Sequence, residues 1–198
     1  MVAASLLLMA QAPVPQPRPP AAAPRPVDRP PLVPGRDASV LYKLVDGAGQ
    51  EQEVRVTTQA GGSPMRVDMP DKSFMLVDRR AQRMAMVVMS EETVVDMPYQ
   101  GPPMQFVLTP AMRFVRKGAD TVAGVACTVW DVSVGPQRGT MCITADGVLL
   151  RTVATDEQGR KTLLEAVSVS FARATQAEFS LPPDYGRVQA GPNGELPQ

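Results

Sequence analysis

The sequence of 198 residues contains no histidine. Without imidazole the chain cannot form a Ser-His-Asp or Cys-His catalytic arrangement, nor a zinc, copper or iron site with histidine ligands. Carboxylate, lysine or tyrosine chemistry stays open, but no paired-carboxylate, calcium-loop or phosphate-loop spacing occurs. We therefore expect a protein that is not an enzyme and that holds no metal or cofactor.

The sequence also lacks an excess of either charge, because 20 basic residues balance 20 acidic ones. Such a composition gives no general affinity for nucleic acid or for an anionic membrane surface. A long hydrophobic run is missing too, since the apolar stretch at residues 1–10 is too short to span a bilayer. We expect no nucleic-acid partner and no membrane-spanning segment.

The first 12 residues have features of an export signal. A short apolar run ends in Ala10-Gln11-Ala12, which fits the small-x-small pattern of a signal peptidase site. No lysine or arginine precedes the run, so the usual positive start is missing. The alternative is a buried apolar strand or helix, which the proline-rich segment that follows disfavours. We expect export to the periplasm of a Gram-negative-type envelope.

Proline is concentrated at one place, because 10 of the 21 prolines lie in residues 13–36. This composition favours extended polyproline II structure and cannot bury a core, so it predicts a disordered linker. A ligand for a proline-binding partner is the alternative. Residues 189–198 are predicted to form a disordered tail.

Residues 37–188 show the alternation of apolar and polar side chains that is typical of β-strands. About ten strands follow one another with short connections, which favour antiparallel neighbours. The pattern predicts a mainly β fold: a single curved antiparallel sheet or unclosed barrel. Prolines at 98, 102, 103 and 110 interrupt residues 91–112. There we expect one or two short helices on the concave face.

Methionine is unevenly distributed, because nine of the 12 methionines lie between Met65 and Met112. Flexible thioethers suit a surface that accepts variable apolar ligands, although ordinary core packing is the alternative for each of them. A copper site is disfavoured, since Met89 would point to the opposite face of its strand from its two nearest methionine neighbours. The residues that we predict to line an apolar cavity are Met84, Met86, Met104, Phe106 and Trp130.

The two cysteines, Cys127 and Cys142, are too far apart for CxxC redox chemistry and too few for a zinc site. In an exported protein, two cysteines in adjacent strands most simply form a disulfide. If GPQRG, residues 135–139, were the whole hairpin loop, the two cysteines would point to opposite faces. The disulfide therefore requires a bulge or a shifted register, with Val134 and Gly135 near the centre of the turn.

Three elements carry a family resemblance: RKG…VAG before the first cysteine, DGVLLR, and EFSLPPDY near the end. Over about residues 38–188 the chain resembles uncharacterised exported proteobacterial proteins that look like a branch of the LolA/LolB-like superfamily of periplasmic lipoprotein carriers. The resemblance implies an unclosed antiparallel barrel wrapped around helices, with a hydrophobic cavity. It brings no catalytic residues.

Two functions are compatible with these observations. The first is a periplasmic binding or carrier-like protein whose cavity holds an acyl chain, of a lipid or a lipoprotein, or another apolar ligand. The second is an interaction or sensor module of the cell envelope with a filled core, which binds a protein partner through an edge strand or the proline-rich arm.

Overall fold

The computed structural model describes residues 29–101, 106–155 and 158–191, and these fold into one twelve-stranded sheet. The strands are β1 (Ala38–Val45), β2 (Glu51–Thr58), β3 (Met65–Asp68), β4 (Phe74–Asp78), β5 (Arg83–Val88), β6 (Thr93–Met97), β7 (Arg113–Val122), β8 (Val125–Val134), β9 (Gln137–Ile143), β10 (Leu149–Thr155), β11 (Lys161–Ser170) and β12 (Gly186–Gln189). Their order across the sheet is β12-β6-β5-β4-β3-β2-β1-β11-β10-β9-β8-β7.

The predicted fold class is confirmed. Neighbouring strands are antiparallel throughout, except that β12 runs parallel to β6. The strands lie close to where the alternation predicts them; in β3, for example, Met65 and Val67 are buried while Arg66 and Asp68 are partly exposed. The sheet is curved and does not close, because β7 and β12 are separate edges.

The stretch at 91–112 differs from the prediction. A strand, β6, occupies Thr93–Met97 where a helix was expected, and it ends just before Pro98, whose nitrogen cannot donate to a sheet ladder. Residues 102–105 lie outside the described part of the chain. The described residues include two short 3-10 helices, Met89–Glu91 and Gln176–Phe179.

Two hydrophobic clusters stabilise the sheet. The larger one draws residues from most of the strands and lies mainly on the face that carries Val40, Tyr42 and Leu44, which we call the inner face; it also includes the buried Cys127 and Cys142. Val107, Leu108 and Met112 join it, so the second half of the 91–112 segment lies over the inner face. The smaller cluster is on the outer face of β4, β5 and β6, where Phe179 covers it.

The folded unit extends past both predicted boundaries. Gly35 donates its backbone N–H to Asp146 O at 2.7 Å, so the end of the proline-rich segment is bonded to the β9–β10 turn. At the other end, Ala190 is buried and donates to Asp96 O at 2.9 Å. The predicted signal segment, residues 13–28 of the linker, and residues 192–198 of the tail lie outside the described residues.

In the described ranges, no helix has the length and apolar character needed to cross a membrane.

Candidate functional site

A half-open cavity of about 380 Å³ lies on the inner face, beside the hairpin that joins β8 to β9. Its lining comes from β1, from the segment before β7, and from β8 to β11, and is mainly apolar. The lining residues are Leu44, Asp46, Met112, Val132, Ser133, Val134, Gln137, Arg138, Gly139, Thr140, Met141, Thr152, Val153, Ala154, Thr162 and Leu164.

The sheet register builds the floor of this cavity in two rows of cross-strand neighbours. The first row runs Leu44, Leu164, Thr152, Met141 across β1, β11, β10 and β9. The second row runs Thr162, Ala154, Gly139, Val132 across β11, β10, β9 and β8. Residues directly opposite on neighbouring strands share a face, so each row forms one continuous strip of the floor.

Small side chains in the second row explain why the space is not filled. Thr162, Ala154 and Gly139 leave room that larger side chains would occupy. Gly139 is also required by close packing, because a Cβ atom there would lie 2.2 Å from Val153 O. The cavity therefore follows from residue size at three neighbouring positions together with the curvature of the sheet.

Two buried hydroxyl groups lie on the inner face near the cavity. Tyr42 donates to Leu149 O at 2.6 Å, and burial raises its pKa, so the phenol stays neutral and fixes β1 against the start of β10. Thr152 is buried, and in the described residues its Oγ1 has no hydrogen-bond partner. Of these two residues, Thr152 lines the cavity and Tyr42 does not.

Four of the five residues that the sequence predicts to line a cavity lie in the described part of the chain. Met84 and Trp130 are buried in the larger cluster, and Trp130 meets the ring of Phe114 edge-on at 6.1 Å. Phe106 is partly buried against that cluster. Met86 is partly exposed on β5.

Of the predicted lining, Met104 lies outside the described residues, and the other four positions are not among the lining of this cavity. Their contact with a ligand stays a prediction. Sequence reasoning missed Met141 and Met112, which do line the cavity. The register of the β8–β9 hairpin would have indicated Met141, because Met141 lies directly opposite the predicted lining residue Trp130 and therefore shares its face of the sheet.

The predicted disulfide is present, with Sγ atoms of Cys127 and Cys142 bonded and Cα atoms 5.5 Å apart. The register is shifted relative to a GPQRG loop, as the disulfide requires, but the turn is centred on Gly135-Pro136 and not on Val134-Gly135, because Val134 pairs with Gln137. Cys142 on β9 is opposite Val129 on β8, and Cys127 lies two residues before Val129 on β8. The cysteines are therefore diagonal neighbours on one face.

That face is the outer one, because Cys142 is adjacent to Met141, which lines the cavity on the inner face. Asp120 on β7 pairs with Cys127, and Arg151 on β10 pairs with Cys142. Arg151 on β10 forms an ion pair with Asp120 on β7. This ion pair therefore spans β8 and β9 above the disulfide. The hydrogen bond from Arg151 lowers the pKa of Asp120, and both cysteines are buried.

A second, polar depression lies at the opposite end of β1, around Asp37, Gln59 and Arg173. The Asp37 carboxylate accepts backbone N–H groups from Ala60 and Ala174, both at 2.9 Å. These bonds hold the pKa of Asp37 below its ordinary value. Asp37 thereby ties the β2–β3 turn to the segment after β11, which is a structural role.

Among solved structures, the chain is similar to an uncharacterised conserved protein from Thermus thermophilus, with a TM-score of 0.55 and 17% identity over 78% of this chain and 91% of that one. MucB superposes with a TM-score of 0.54 and 11% identity over 76% of this chain. The chain covers 59% of MucB. In the Pseudomonas aeruginosa MucA/MucB complex, the matched chain gives a TM-score of 0.51 at 12% identity, over 77% of this chain and 58% of that one.

These likenesses agree with the fold described above. A domain assigned to outer membrane lipoprotein sorting from Vibrio parahaemolyticus reaches a TM-score of only 0.41, with 11% identity over 73% of this chain and 89% of that one, and carries no argument. No protein-family profile and no curated protein matches the chain. The fold class is therefore established by structure, while the family resemblance seen in the sequence stays a prediction.

Proposed function

We propose that this chain is a non-enzymatic binding module of the periplasm that holds an acyl chain or a comparable apolar ligand in the inner-face cavity. The observation that carries the proposal is the cavity itself, which is half-open, about 380 Å³ in volume and lined mainly by apolar atoms. That volume lies at the lower end of the range of about 300–1,000 Å³ that is typical of small-molecule sites.

The lining suits a ligand recognised by shape and apolar surface. Burial of apolar surface contributes roughly 25 cal/mol per Å². Met112 and Met141 can adjust to chains of different outline, because the thioether side chain is flexible and polarizable. The scarcity of polar groups on the floor favours tolerance of chain length over recognition of one molecule.

Two observations support the cellular location. A buried disulfide is typical of proteins in oxidising compartments such as the periplasm. The fold is also shared with MucB, a structure of which is described as a complex with MucA(peri).

Filling the cavity tests the proposal. Ala154→Phe places a large ring in the second row, and we expect it to weaken binding of the neutral fluorescent probe N-phenylnaphthylamine by about tenfold or more, since the probe and the ring compete for the same space. Ala126→Phe is the matched control, because Ala126 is exposed and does not line the cavity. Equal probe binding by both variants and the wild-type chain would contradict the proposal.

Capture of a protein partner is a second candidate, favoured by the exposed edge strand β7. Val115 on this strand is 61% exposed, and β7 has no neighbour on its outer side in the described sheet. A charge at the edge disfavours addition of another strand. If partner binding is the function, Val115→Lys abolishes capture from an envelope extract while Ala154→Phe leaves it unchanged.

A further inference from the structure

Four methionine side chains share one face of the sheet on β4, β5 and β6. Met75 is directly opposite Met86, and Met84 is directly opposite Met97. Met84 and Met86 are two residues apart on β5, so they point to the same face. Cβ atoms of directly opposite residues lie about 4.5–5.5 Å apart, and diagonal neighbours are within reach of long side chains. We call these four residues the methionine cluster.

The methionine cluster lies on the inner face, outside the cavity. A continuous row of opposite residues joins it to β1, running Met86, Met75, Val67, Val56, Val40. Met84 is buried, whereas the other three methionines are partly exposed. None of the four is among the lining of the cavity beside the β8–β9 hairpin. The cluster is therefore a separate feature of the inner face, with thioether groups that solvent reaches.

Methionine is the main soft metal ligand that this chain offers. The sequence contains no histidine, and its two cysteines are bonded to each other. In the described ranges, no group of three or more histidine, cysteine, aspartate or glutamate side chains could hold a metal ion. Thioether sulfur is a soft ligand that selects Cu(I), whereas carboxylate and carbonyl oxygens suit magnesium, calcium and manganese. The donor set of the cluster therefore matches a soft monovalent ion.

Cross-strand pairing supplies the sulfur ligands that one strand alone does not. The sequence disfavours a copper site because Met89 would point away from Met84 and Met86. The structure instead places Met75 of β4 and Met97 of β6 beside these two residues. Four thioethers on one face thus replace the two that β5 provides.

We propose that the methionine cluster binds one Cu(I) ion through thioether sulfur. Met86 is the central ligand, because Met75 lies opposite it and Met84 is its neighbour on the same face of β5. Binding leaves the oxidation state of the metal unchanged, so it requires no electron donor. The site adds a metal-binding activity that is independent of the apolar cavity.

Silver ion tests this inference, because Ag(I) has the same charge as Cu(I), is also soft and is stable in air. The full chain is labelled with carbon-13 at its methionine methyl groups and titrated with silver nitrate in a chloride-free buffer. We expect the signals of the methionine cluster to shift and to saturate at one ion per chain. The signals of Met112 and Met141, which line the cavity, should stay nearly unchanged.

Met86→Leu removes the central thioether and nearly conserves the side-chain volume. We expect it to weaken binding of Ag(I), and of Cu(I) measured against bicinchoninate, by about tenfold or more, because even a residue that only supports a metal ligand is worth roughly that much in affinity. Met141→Leu is the matched control, since Met141 is on the same face but lines the cavity. Melting temperatures of both variants verify that they are folded.

The pH dependence of binding distinguishes thioether ligands from carboxylates. Thioether sulfur has no proton to lose, so the affinity for Ag(I) should be nearly the same at about pH 7 and about pH 5. A steep loss of affinity over this interval would show that titrating groups hold the ion and would overturn the proposed ligand set.

The outcomes for the methionine cluster are distinct from those for the cavity. Equal affinity of Met86→Leu, Met141→Leu and the wild-type chain for Ag(I), or shifts spread over the methionine signals without saturation, overturns the metal site. Absence of N-phenylnaphthylamine binding overturns the proposed function and leaves this inference in place, because the two sites share no residue.

Discussion

Thr152, like Trp130, is an inner-face residue whose buried side-chain polar atom has no hydrogen-bond partner in the described residues. Its hydroxyl oxygen is buried without a partner in the described residues, while Leu164 and Met141 flank it on the neighbouring strands. A buried hydroxyl without a hydrogen bond costs about 1–3 kcal/mol. The small threonine side chain leaves room for the cavity at this position, but its hydroxyl group does not add to the stability of the fold.

Replacing Thr152 by valine removes the hydroxyl and keeps the shape. We expect Thr152→Val to raise the free energy of unfolding by about 1 kcal/mol, measured by urea denaturation. Probe binding should be retained, because the volume of the side chain hardly changes. A clear loss of stability would show that the hydroxyl has a partner in solution and would contradict the role given to it.

Asp37 gives a residue-scale prediction on pH. Backbone N–H groups of Ala60 and Ala174 lower its pKa below the ordinary value of 3.8 in the folded chain. The ionised form therefore stabilises the folded state: the contribution is complete above the ordinary pKa and is lost as the pH falls through the lowered one. Asp37→Asn should reduce stability at about pH 7, and the difference from wild type should shrink as the pH falls from about 4 to about 2, as measured by urea denaturation. A constant difference at both pH values would contradict this account.

Elements were predicted well wherever alternation of side chains was the signal. The strands from β1 to β5 and from β7 to β11 follow from it. The disulfide was predicted from the presence of two cysteines in adjacent strands of an exported protein, and the Gly135-Pro136 turn sets the register in which it forms. The strand β6 was missed because nearby prolines suggested a break, although they begin only at Pro98. The strand β12 was missed because it is short and pairs with β6 from far along the chain.

At the scale of elements, the ion pair above the disulfide predicts protection from reductants. Asp120→Asn removes the carboxylate that holds Arg151 across β8 and β9, so dithiothreitol should release the two thiols several-fold faster than in the wild-type chain. Asp131→Asn is the control, because its ion pair joins Asp131 on β8 to Lys117 on β7 and does not span β8 and β9 above the disulfide. Equal rates of thiol release in the two variants would show that the ion pair does not shield the bond.

For the whole molecule, the sequence predicts that a curved sheet forms. It does not predict where on the inner face a cavity remains. Four of the five lining residues inferred from the sequence, Met84, Met86, Phe106 and Trp130, are not among the lining of this cavity. Residue type indicates which side chains are large or flexible, but it does not indicate which rows of the sheet leave space unfilled. The cavity depends on Thr162, Ala154 and Gly139 becoming cross-strand neighbours. That adjacency requires the register of three strands, and the sequence alone leaves the register of β9 open.

The central claim is that an apolar ligand binds in the cavity beside the β8–β9 hairpin. Methionine methyl groups report on it directly, because Met112 and Met141 line the cavity whereas Met84 is packed in the core and Met86 lies on β5. In a spectrum of the chain labelled with carbon-13 at its methionine methyl groups, titration with dodecanol should shift the Met112 and Met141 signals saturably and leave Met84 and Met86 nearly unchanged. Shifts confined to Met84 and Met86, or no saturable shift at all, would contradict the claim.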